Sequence, residues 1–399
     1  MGPAARGKPV RPPLRAASPS ARILTLGDRA LLPFHYDTSI SIRFGPGVSR
    51  DIGDVIDAMA CRRILVVTDP NVRRIEPVAR VFETLAVDRE TEFFDAVHPN
   101  PTARLIEQGA EVARVFDPDV IVGVGGGSAL DCAKGINFLL TNGGRIEDYQ
   151  GFGKASAPML LAVGIPTTAG TGSEAQSYAL ISKSDTHEKM ACGDRKARFE
   201  LVLLDPELIA TTPSEVRAST GLDAIAHALE SYVTRTRNRI SRMLSREAWH
   251  LLNGAFERYH ADPSDVGAAG EMLVGAHLAG AAIEASMLGA AHACANPLTA
   301  RFDIAHGAAV ALMLPHVMAH NARNDPSLYE GLRVPADAIE ERVVALRSLA
   351  GLPERLEACG VGQKDLSVLA NEAHAQWTGA HNPFVLSVEE YETLYAVAL

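Results

Sequence analysis

The stretch Val120-Ile121-Val122-Gly123-Val124-Gly125-Gly126-Gly127-Ser128 decides the fold class. Its apolar run, Val120 to Val124, reads as a strand buried on both faces. The glycines turn the chain, and Leu130 to Leu140 reads as a helix. Glycine lets a backbone approach a ligand closely, and free N–H groups at a helix start favour a phosphate. Ser128 and Asp131 also fit an S-x-x-D capping box, a purely structural reading of the same residues.

Working outward, Ile40 to Phe44 reads as a short strand that ends at Gly45-Pro46-Gly47. Arg63 to Thr68 is a buried-type strand followed by a helical stretch to about Leu85. Thr91 to Phe94 forms another strand and Ala103 to Phe116 a helix, while Met159 to Ile165 and Leu201 to Leu204 are further strands. Strands alternating with helices predict a Rossmann-like α/β unit, a parallel sheet with helices on both faces. From about Thr212 the pattern changes to Ala- and Leu-rich segments punctuated by Gly and Pro, an all-helical half. The boundary falls near Ala210, separating residues 39–210 from 211–399, and no internal repeat is visible.

A chain of 399 residues exceeds what one core usually supports, which agrees with two domains. The net charge of −10 and the lack of a basic stripe argue against a nucleic-acid partner. Cys61, Cys132, Cys192, Cys294 and Cys359 are scattered and include no CxxC pair, which fits a reducing compartment, the cytoplasm. No uninterrupted apolar stretch is long enough to cross a bilayer. The first twenty residues carry Arg6, Lys8, Arg11 and Arg15, five prolines and no acid. Those prolines would break the amphipathic helix of a transit sequence, so 1–38 is expected to be a disordered tail.

A second turn follows a strand at Pro166-Thr167-Thr168-Ala169-Gly170-Thr171-Gly172-Ser173-Glu174. Its hydroxyls and glycines suit a pyrophosphate or ribose, or simply a tight turn and a helix cap. Asp69 ends the strand Leu65 to Thr68, where a carboxylate can bond ribose hydroxyls and repel a 2′-phosphate. Its structural reading is a helix cap before Pro70. Because Asp69 precedes the glycine run, the G-x-G-x-x-G fingerprint is absent, and a nucleotide site rests on the arrangement of turns.

The helical half holds four candidate metal ligands. Asp223 and His227 are four apart in Gly221-Leu222-Asp223-Ala224-Ile225-Ala226-His227, which places both on one helical face. His292 lies in Ala291-His292-Ala293-Cys294-Ala295-Asn296-Pro297 and His306 in Ala305-His306-Gly307. One carboxylate with three imidazoles suits Fe²⁺, Zn²⁺ or a similar first-row ion. Pro297 argues against one helix carrying both histidines. Spacing alone leaves His98, His187, His250, His260, His277, His316, His320, His374 and His381 as alternatives.

Together these segments resemble the iron-dependent (group III) alcohol dehydrogenase family, from about Ile40 to the C-terminus. The resemblance rests on Gly125-Gly126-Gly127-Ser128 with Asp131 and Lys134, on Pro166 to Glu174, on Gly221 to His227 and on the two histidine segments. It implies a dinucleotide-binding domain over 39–210, a helical metal-binding domain over 211–399 and a metal in the cleft between them. Asp223, His227, His292 and His306 match the family's metal ligands, with iron expected and zinc the alternative. Asp69 matches the position facing the adenosine ribose of NAD, and Asn100 in Pro99-Asn100-Pro101-Thr102 matches a motif at the cofactor. Gly125, Gly126, Gly127 and Ser128 match the pyrophosphate loop, and Thr167, Thr168 and Thr171 the second loop. Lys189 and Leu208 match further cofactor-lining positions.

One departure stands out. Many relatives carry a second histidine four residues after the one matching His292, thought to relay protons; here that place is Asn296. Asparagine hydrogen-bonds but cannot shuttle a proton at neutral pH. The family's C-terminal pocket loop appears as Thr378-Gly379-Ala380-His381-Asn382-Pro383, where His381 departs from the usual glycine and offers a substitute relay.

The expected activity is hydride transfer between NAD(H) and a small primary alcohol or aldehyde, in a homodimer or larger homo-oligomer. Two other readings compete. A metal- and NAD-dependent lyase resembling dehydroquinate synthase would need basic residues for a phosphorylated substrate, whereas the ligand segments here are lined by Ala, Gly, Leu and Met. A degenerate nucleotide-binding protein finds support only in Asn296.

Overall fold

The computed structural model describes residues 24–26, 29–31, 34, 36, 40–185, 188–332 and 334–399. Leu24–Leu26 (β1) and Arg29–Leu31 (β2) pair antiparallel, Leu24 opposite Leu31, in a unit of their own. These two runs lie within 1–38, where a disordered tail is expected; each carries leucines and other residues compatible with extended pairing. The rest of that stretch, apart from Phe34 and Tyr36, lies outside the described residues.

From residue 40 the chain builds a six-stranded, all-parallel sheet. Its strands are β3 (Ser41–Phe44), β4 (Arg63–Val67), β5 (Glu90–Phe94), β6 (Val120–Gly125), β8 (Leu161–Pro166) and β11 (Leu201–Leu204). Their order is β3-β11-β8-β6-β4-β5. The central strands are buried on both faces, so their residues alternate between two cores. Ile64, Val66, Val120 and Val122 pack against α1 (Ile52–Ala58) and α2 (Glu76–Ala86). Leu65, Val67 and Ile121 pack against α3 (Ala103–Phe116) and α4 (Gly127–Asn142). This is why Val120 to Val124 is apolar throughout and not alternating. From β4 the chain passes outward to β5 and then back to β6 on the other side. The C-terminal ends of β4 and β6 therefore flank the switch point where such sheets bind ligands.

Three strands make a second, smaller sheet in the order β7-β10-β9: β7 (Gly151–Phe152), β9 (Tyr178–Ser182) and β10 (Lys189–Gly193). The strand patterns named from the sequence omit it. Its strands are short, only partly buried and free of a long apolar run, so periodicity gives little signal.

After α5 (Pro206–Ile209) the described chain is helical. Its helices are α6 (Ser214–Val233), α7 (Arg239–Ala261), α8 (Val266–Ser286), α9 (Ala290–Phe302), α10 (His306–Asn324), α11 (Ala336–Leu349), α12 (Leu366–His374) and α13 (Val388–Ala398). α6 is the axial helix: every residue from Gly221 to Val233 is buried, enclosed by α7, α8 and α10. α8 is interrupted by Glu271, His277 and Glu284, so it is not an uninterrupted apolar stretch. It is 21 residues long with a mean hydropathy of 1.4, enough to cross a membrane by length and composition, yet 67% of its apolar window is buried inside the protein. A helix packed on all sides is apolar all round without meeting lipid.

Pro297 does not end a helix. α9 runs through it, and the break between His292 and His306 comes at Asp303, which closes α9 in a left-handed conformation (φ 54°). The Cys294 carbonyl, three residues before the proline, accepts a hydrogen bond from the Tyr395 hydroxyl at 2.8 Å. The two histidines still come from separate helices, for a different reason than the sequence suggested.

Candidate metal and cofactor site

α6 carries Asp223, His227 and Glu230 at i, i+4 and i+7, one stripe of one helix. His292 comes from the first turn of α9 and His306 is the first residue of α10. Gly307 allows the approach of α10 to α6: a Cβ there would lie 2.0 Å from the Ser219 carbonyl oxygen. One ligand atom from each of Asp223, His227 and His292 lies within 4.8 Å of the others, and all three residues are buried. The His227 and His292 rings stack at 4.8 Å, and the His306 ring centroid is 5.5 Å from that of His292.

Asp223 Oδ1 is 3.3 Å from His292 Nε2 and 3.4 Å from His227 Nε2. Neither approach has hydrogen-bond geometry, so Asp223 Oδ1 and His292 Nε2 are buried polar atoms without a partner. Such atoms are uncommon and expensive unless something else meets them. A carboxylate oxygen and an imidazole nitrogen turned toward one point are the donor set of a first-row cation, so the residues fit a metal.

The electrostatics favour the same species. Burial raises the Asp223 carboxyl, but the three surrounding imidazoles outweigh it and hold the group well below the usual carboxylate range. Burial lowers His227 against the pull of Asp223. It lowers His306 much further, helped by the Lys189 charge, and a helix N-terminus also disfavours a protonated ring. His292 differs: burial works against its charge, yet Glu230 and Asp223 push it up to about 9.

Glu230 is the residue that the sequence reading missed. Its Oε2 lies 2.5 Å from His292 Nδ1, and its Oε1 accepts the Ala291 N–H at 2.7 Å. The carboxylate thus holds the His292 proton on Nδ1, leaving Nε2 to face Asp223. A stripe D-x-x-x-H-x-x-E on an otherwise apolar helix was the available signal. Asn382 was missed too: its Oδ1 accepts the Ala290 N–H at 3.3 Å, another donor at the start of α9 without a partner within the helix.

At the sheet's switch point the two turns interlock. α4 begins at Gly127 with Gly126 as its cap residue and no side-chain cap. The S-x-x-D capping box expected of Ser128 and Asp131 is therefore absent. Asp131 instead accepts hydrogen bonds from the Ser173 hydroxyl and, at 3.1 Å, from the Leu180 N–H, while Ser128 sits in the first helical turn. A Cβ on Gly127 would meet Thr171 Oγ1 at 2.4 Å, and one on Gly126 would meet Thr168 Oγ1 at 3.3 Å. The Thr167 N–H donates to the Gly125 carbonyl at 3.0 Å. Asp69 meets its capping reading: Oδ1 accepts from the Asn71 and Val72 N–H groups at 2.9 Å, while Oδ2 points toward Gly125, 3.8 Å from where a Cβ on that residue would be.

A cavity of about 750 Å³ joins the domains, lined by Asn100, Ser182 and Lys189 on one side and Asn296, Arg301 and Gln376 on the other. Asn100 adopts the left-handed conformation between its two prolines (φ 54°), which asparagine tolerates better than most residues. Burial lowers the Lys189 ammonium, while Asp223 and Asp131 pull the other way. Asn296 donates to Gln376 Oε1 at 3.0 Å.

Two predicted residues stand elsewhere. Leu208 is buried in the core on the α1–α2 face of the sheet. His381 is half-buried beside Trp377 and Thr236 and is not among the residues lining the cavity. Burial and the neighbouring Arg235 lower its pKa. Of the alternative histidines, His277 contacts Glu174 at 3.2 Å and His260 stacks on Phe256, while His187 lies outside the described residues.

Comparison with known proteins agrees with this architecture. Residues 39–206 match the family described as iron-containing alcohol dehydrogenase, and residues 217–399 match the C-terminal part of the Fe-containing alcohol dehydrogenase family. Alcohol dehydrogenase 4 of Schizosaccharomyces pombe is 34% identical over 366 residues, covering 89% of this chain and 87% of that protein. The NAD-dependent methanol dehydrogenase of Bacillus methanolicus is 30% identical, covering 89% and 97%. A crystal structure of 1,3-propanediol oxidoreductase superposes with a TM-score of 0.88 at 28% identity, covering 92% of this chain and 100% of the other. The chain belongs to the iron-containing alcohol dehydrogenase family and is an oxidoreductase of the alcohol dehydrogenase type.

Proposed function

We propose that the protein transfers a hydride between NAD(H) and a small primary alcohol or aldehyde, with one divalent first-row ion held by Asp223, His227, His292 and His306. The observation that carries this reading is the convergence of buried, unpartnered ligand atoms from α6 and α9 beside the cleft. When bound, the ion supplies a Lewis acid for the substrate oxygen and NAD supplies the hydride acceptor. Everything else falls to the chain's own residues. Glu230 fixes the tautomer of His292, and burial keeps His227 and His306 neutral, the form in which imidazole ligates. Gly126 and Gly127 leave the start of α4 uncapped for an anionic pyrophosphate. Asp69 Oδ2 favours NAD over NADP, since a 2′-phosphate would meet a second anion there.

Iron is the expected ion from the family, with zinc the alternative, because one mixed O/N shell accepts both. Asn296 cannot relay a proton, and His381 stands away from the cavity, so the relay runs through water or the ribose hydroxyls. All five cysteines are free thiols, which supports a reducing, cytoplasmic setting.

The test is a screen of small aldehydes with NADH and NADPH on protein loaded with Fe²⁺ or Zn²⁺, beside a His292→Ala variant. We expect NADH oxidation that is lost on metal removal and in the variant. Substantial turnover without metal, or unchanged turnover in His292→Ala, would overturn the proposal. A lyase would show no net change in the cofactor.

A further inference from the structure

One charged patch has no part in the site described above. Between Glu230 and Glu247 the chain carries no acid, yet it holds Arg235, Arg237, Arg239, Arg242 and Arg246, in a protein whose net charge is −10. These arginines lie on the connection from α6 to α7 and on the opening turns of α7. Two of them are structural. Arg237 Nη1 closes the end of α6 on the Val233 and Thr234 carbonyls at 3.0 and 2.9 Å. Arg242 donates to the Tyr232 hydroxyl at 2.6 Å, its guanidinium over that ring. Arg235, Arg239 and Arg246 are exposed and find no side-chain hydrogen bond or ion pair among the described residues.

The arrangement is electrostatically unfavourable. α7 opens on Arg239 with no acid in its first turn, at the end of a helix where a cation is disfavoured. Arg242 stands three residues from Arg239 and four from Arg246, the spacings at which like charges on a helix repel. The patch is made by side chains and not by free backbone donors, because Asn238 Oδ1 already accepts from the Ile240 and Ser241 N–H groups at 2.9 and 3.0 Å. Its backbone is also held still. The Arg235 N–H donates to the His381 carbonyl at 2.8 Å, and the Thr234 and Thr236 hydroxyls both donate to the Ser286 carbonyl. Arg239, Met243 and Arg246 follow at i, i+4 and i+7 on one face, and Met243 is 50% exposed. Two guanidiniums about 10 Å apart thus flank one apolar side chain.

An anion on this face relieves the repulsion, and the guanidinium fork matches carboxylates and phosphates alike. The small extent of the patch decides between them. A bilayer or a nucleic acid is an extended polyanion that would also meet the acidic remainder of the surface. A short segment feels only the charges within a screening length of about 8 Å. Carboxylates two helical turns apart with an apolar residue between them reproduce the spacing of Arg239, Met243 and Arg246.

We propose that this face of α7 docks an acidic helical segment of a partner protein, with its carboxylates on Arg239 and Arg246 and an apolar side chain on Met243.

The test uses zinc-loaded, full-length protein and a fluorescein-labelled helical peptide with glutamates two turns apart and a leucine between them, followed by fluorescence anisotropy. A peptide with glutamine for each glutamate is the neutral control. The acidic peptide should bind and the neutral one should not. Affinity should fall as ionic strength rises from about 0.01 M to about 0.15 M, where the screening length shrinks from about 30 to about 8 Å. Arg239→Gln combined with Arg246→Gln should weaken binding roughly tenfold, as two exposed charge pairs are lost. Met243→Gln should weaken it about threefold. The same charge change beside α2, Arg74→Gln with Arg80→Gln, should leave it within about twofold. Equal binding of the two peptides, or an equal effect of the two arginine pairs, would overturn the proposal. So would vesicles of phosphatidylserine and phosphatidylcholine, or a single-stranded oligonucleotide, that bind at least as tightly and lose that binding when Arg239 and Arg246 are replaced. A changed sedimentation coefficient in that variant would overturn it as well, by showing the face covered by a second copy of the chain.

Discussion

Replacing Glu230 by Gln asks how much of the metal site is made by a residue that never touches the metal. The glutamate accepts from His292 Nδ1 at 2.5 Å with one oxygen and from the Ala291 N–H at 2.7 Å with the other, and it is buried. Glutamine has the same shape but only one accepting end. If its oxygen stays on Ala291, its NH₂ faces Nδ1, and two donors oppose each other unless the imidazole proton moves to Nε2. That is the nitrogen turned toward Asp223, so the ring would present a proton where a lone pair is needed. Removing such an outer partner typically weakens metal affinity 10- to 100-fold, about 1.4–2.7 kcal/mol. Competition between the protein and a calibrated chelator for Zn²⁺ reads that number directly. Thermal stability should change little, because the substituted side chain fills the same space. Glu230→Ala should behave differently, leaving two buried N–H groups unpaired at about 1–3 kcal/mol each. A Glu230→Gln protein that holds Zn²⁺ within about threefold of wild type would refute the reasoning, since the tautomer would then be set by something else.

Three further predictions follow from the same geometry. Gly127→Ala drives a methyl into Thr171, with 2.4 Å to its Oγ1 and 2.9 Å to its Cβ. A misfit of about 1–3 kcal/mol should part the two turns and weaken NADH binding roughly tenfold by fluorescence titration; unchanged affinity would mean the turns do not hold the cofactor. Asp69→Ser keeps a cap for Asn71 and Val72 but removes the carboxylate, so the NADPH-to-NADH ratio of kcat/KM should rise about tenfold, an expectation that an unaltered ratio defeats. In metal-free protein the His292 pKa stands at about 9 against an ordinary 6.5. A raised pKa stabilises the fold fully below the unfolded value and is lost as pH climbs through the folded one. The Tm of the stripped protein should therefore decline between pH 6.5 and about 9. The zinc-loaded form, with no proton at that nitrogen, should show little of this slope. A stripped protein whose Tm rises across the interval would contradict the assignment.

The parallel sheet was legible because its central strands are sandwiched, which forces every residue from Val120 to Val124 to be apolar. The helical half was legible from composition, and Asp223 with His227 from spacing. The small mixed sheet was not, since Tyr178–Ser182 and Lys189–Gly193 are short strands without a long apolar run and share their pattern with ordinary loops. Asp131 misled for a physical reason: S-x-x-D is a local pattern, and the long-range bonds to Ser173 and Leu180 outcompete it. Pro297 misled likewise, because α9, buried against its neighbours, runs through a proline that local rules would exclude. The convergence of His292 and His306 on α6 was beyond any pattern in the chain. It depends on the contact that Gly307 permits against Ser219, which belongs to three-dimensional packing.

The stretch 376–399 has an outsized hold on the reactive centre. Asn382 grips the opening turn of α9, Gln376 its middle and Tyr395 the carbonyl of Cys294. All three anchors lie far in sequence from any ligand. Truncating or crowding that stretch should therefore injure chemistry while sparing the nucleotide half.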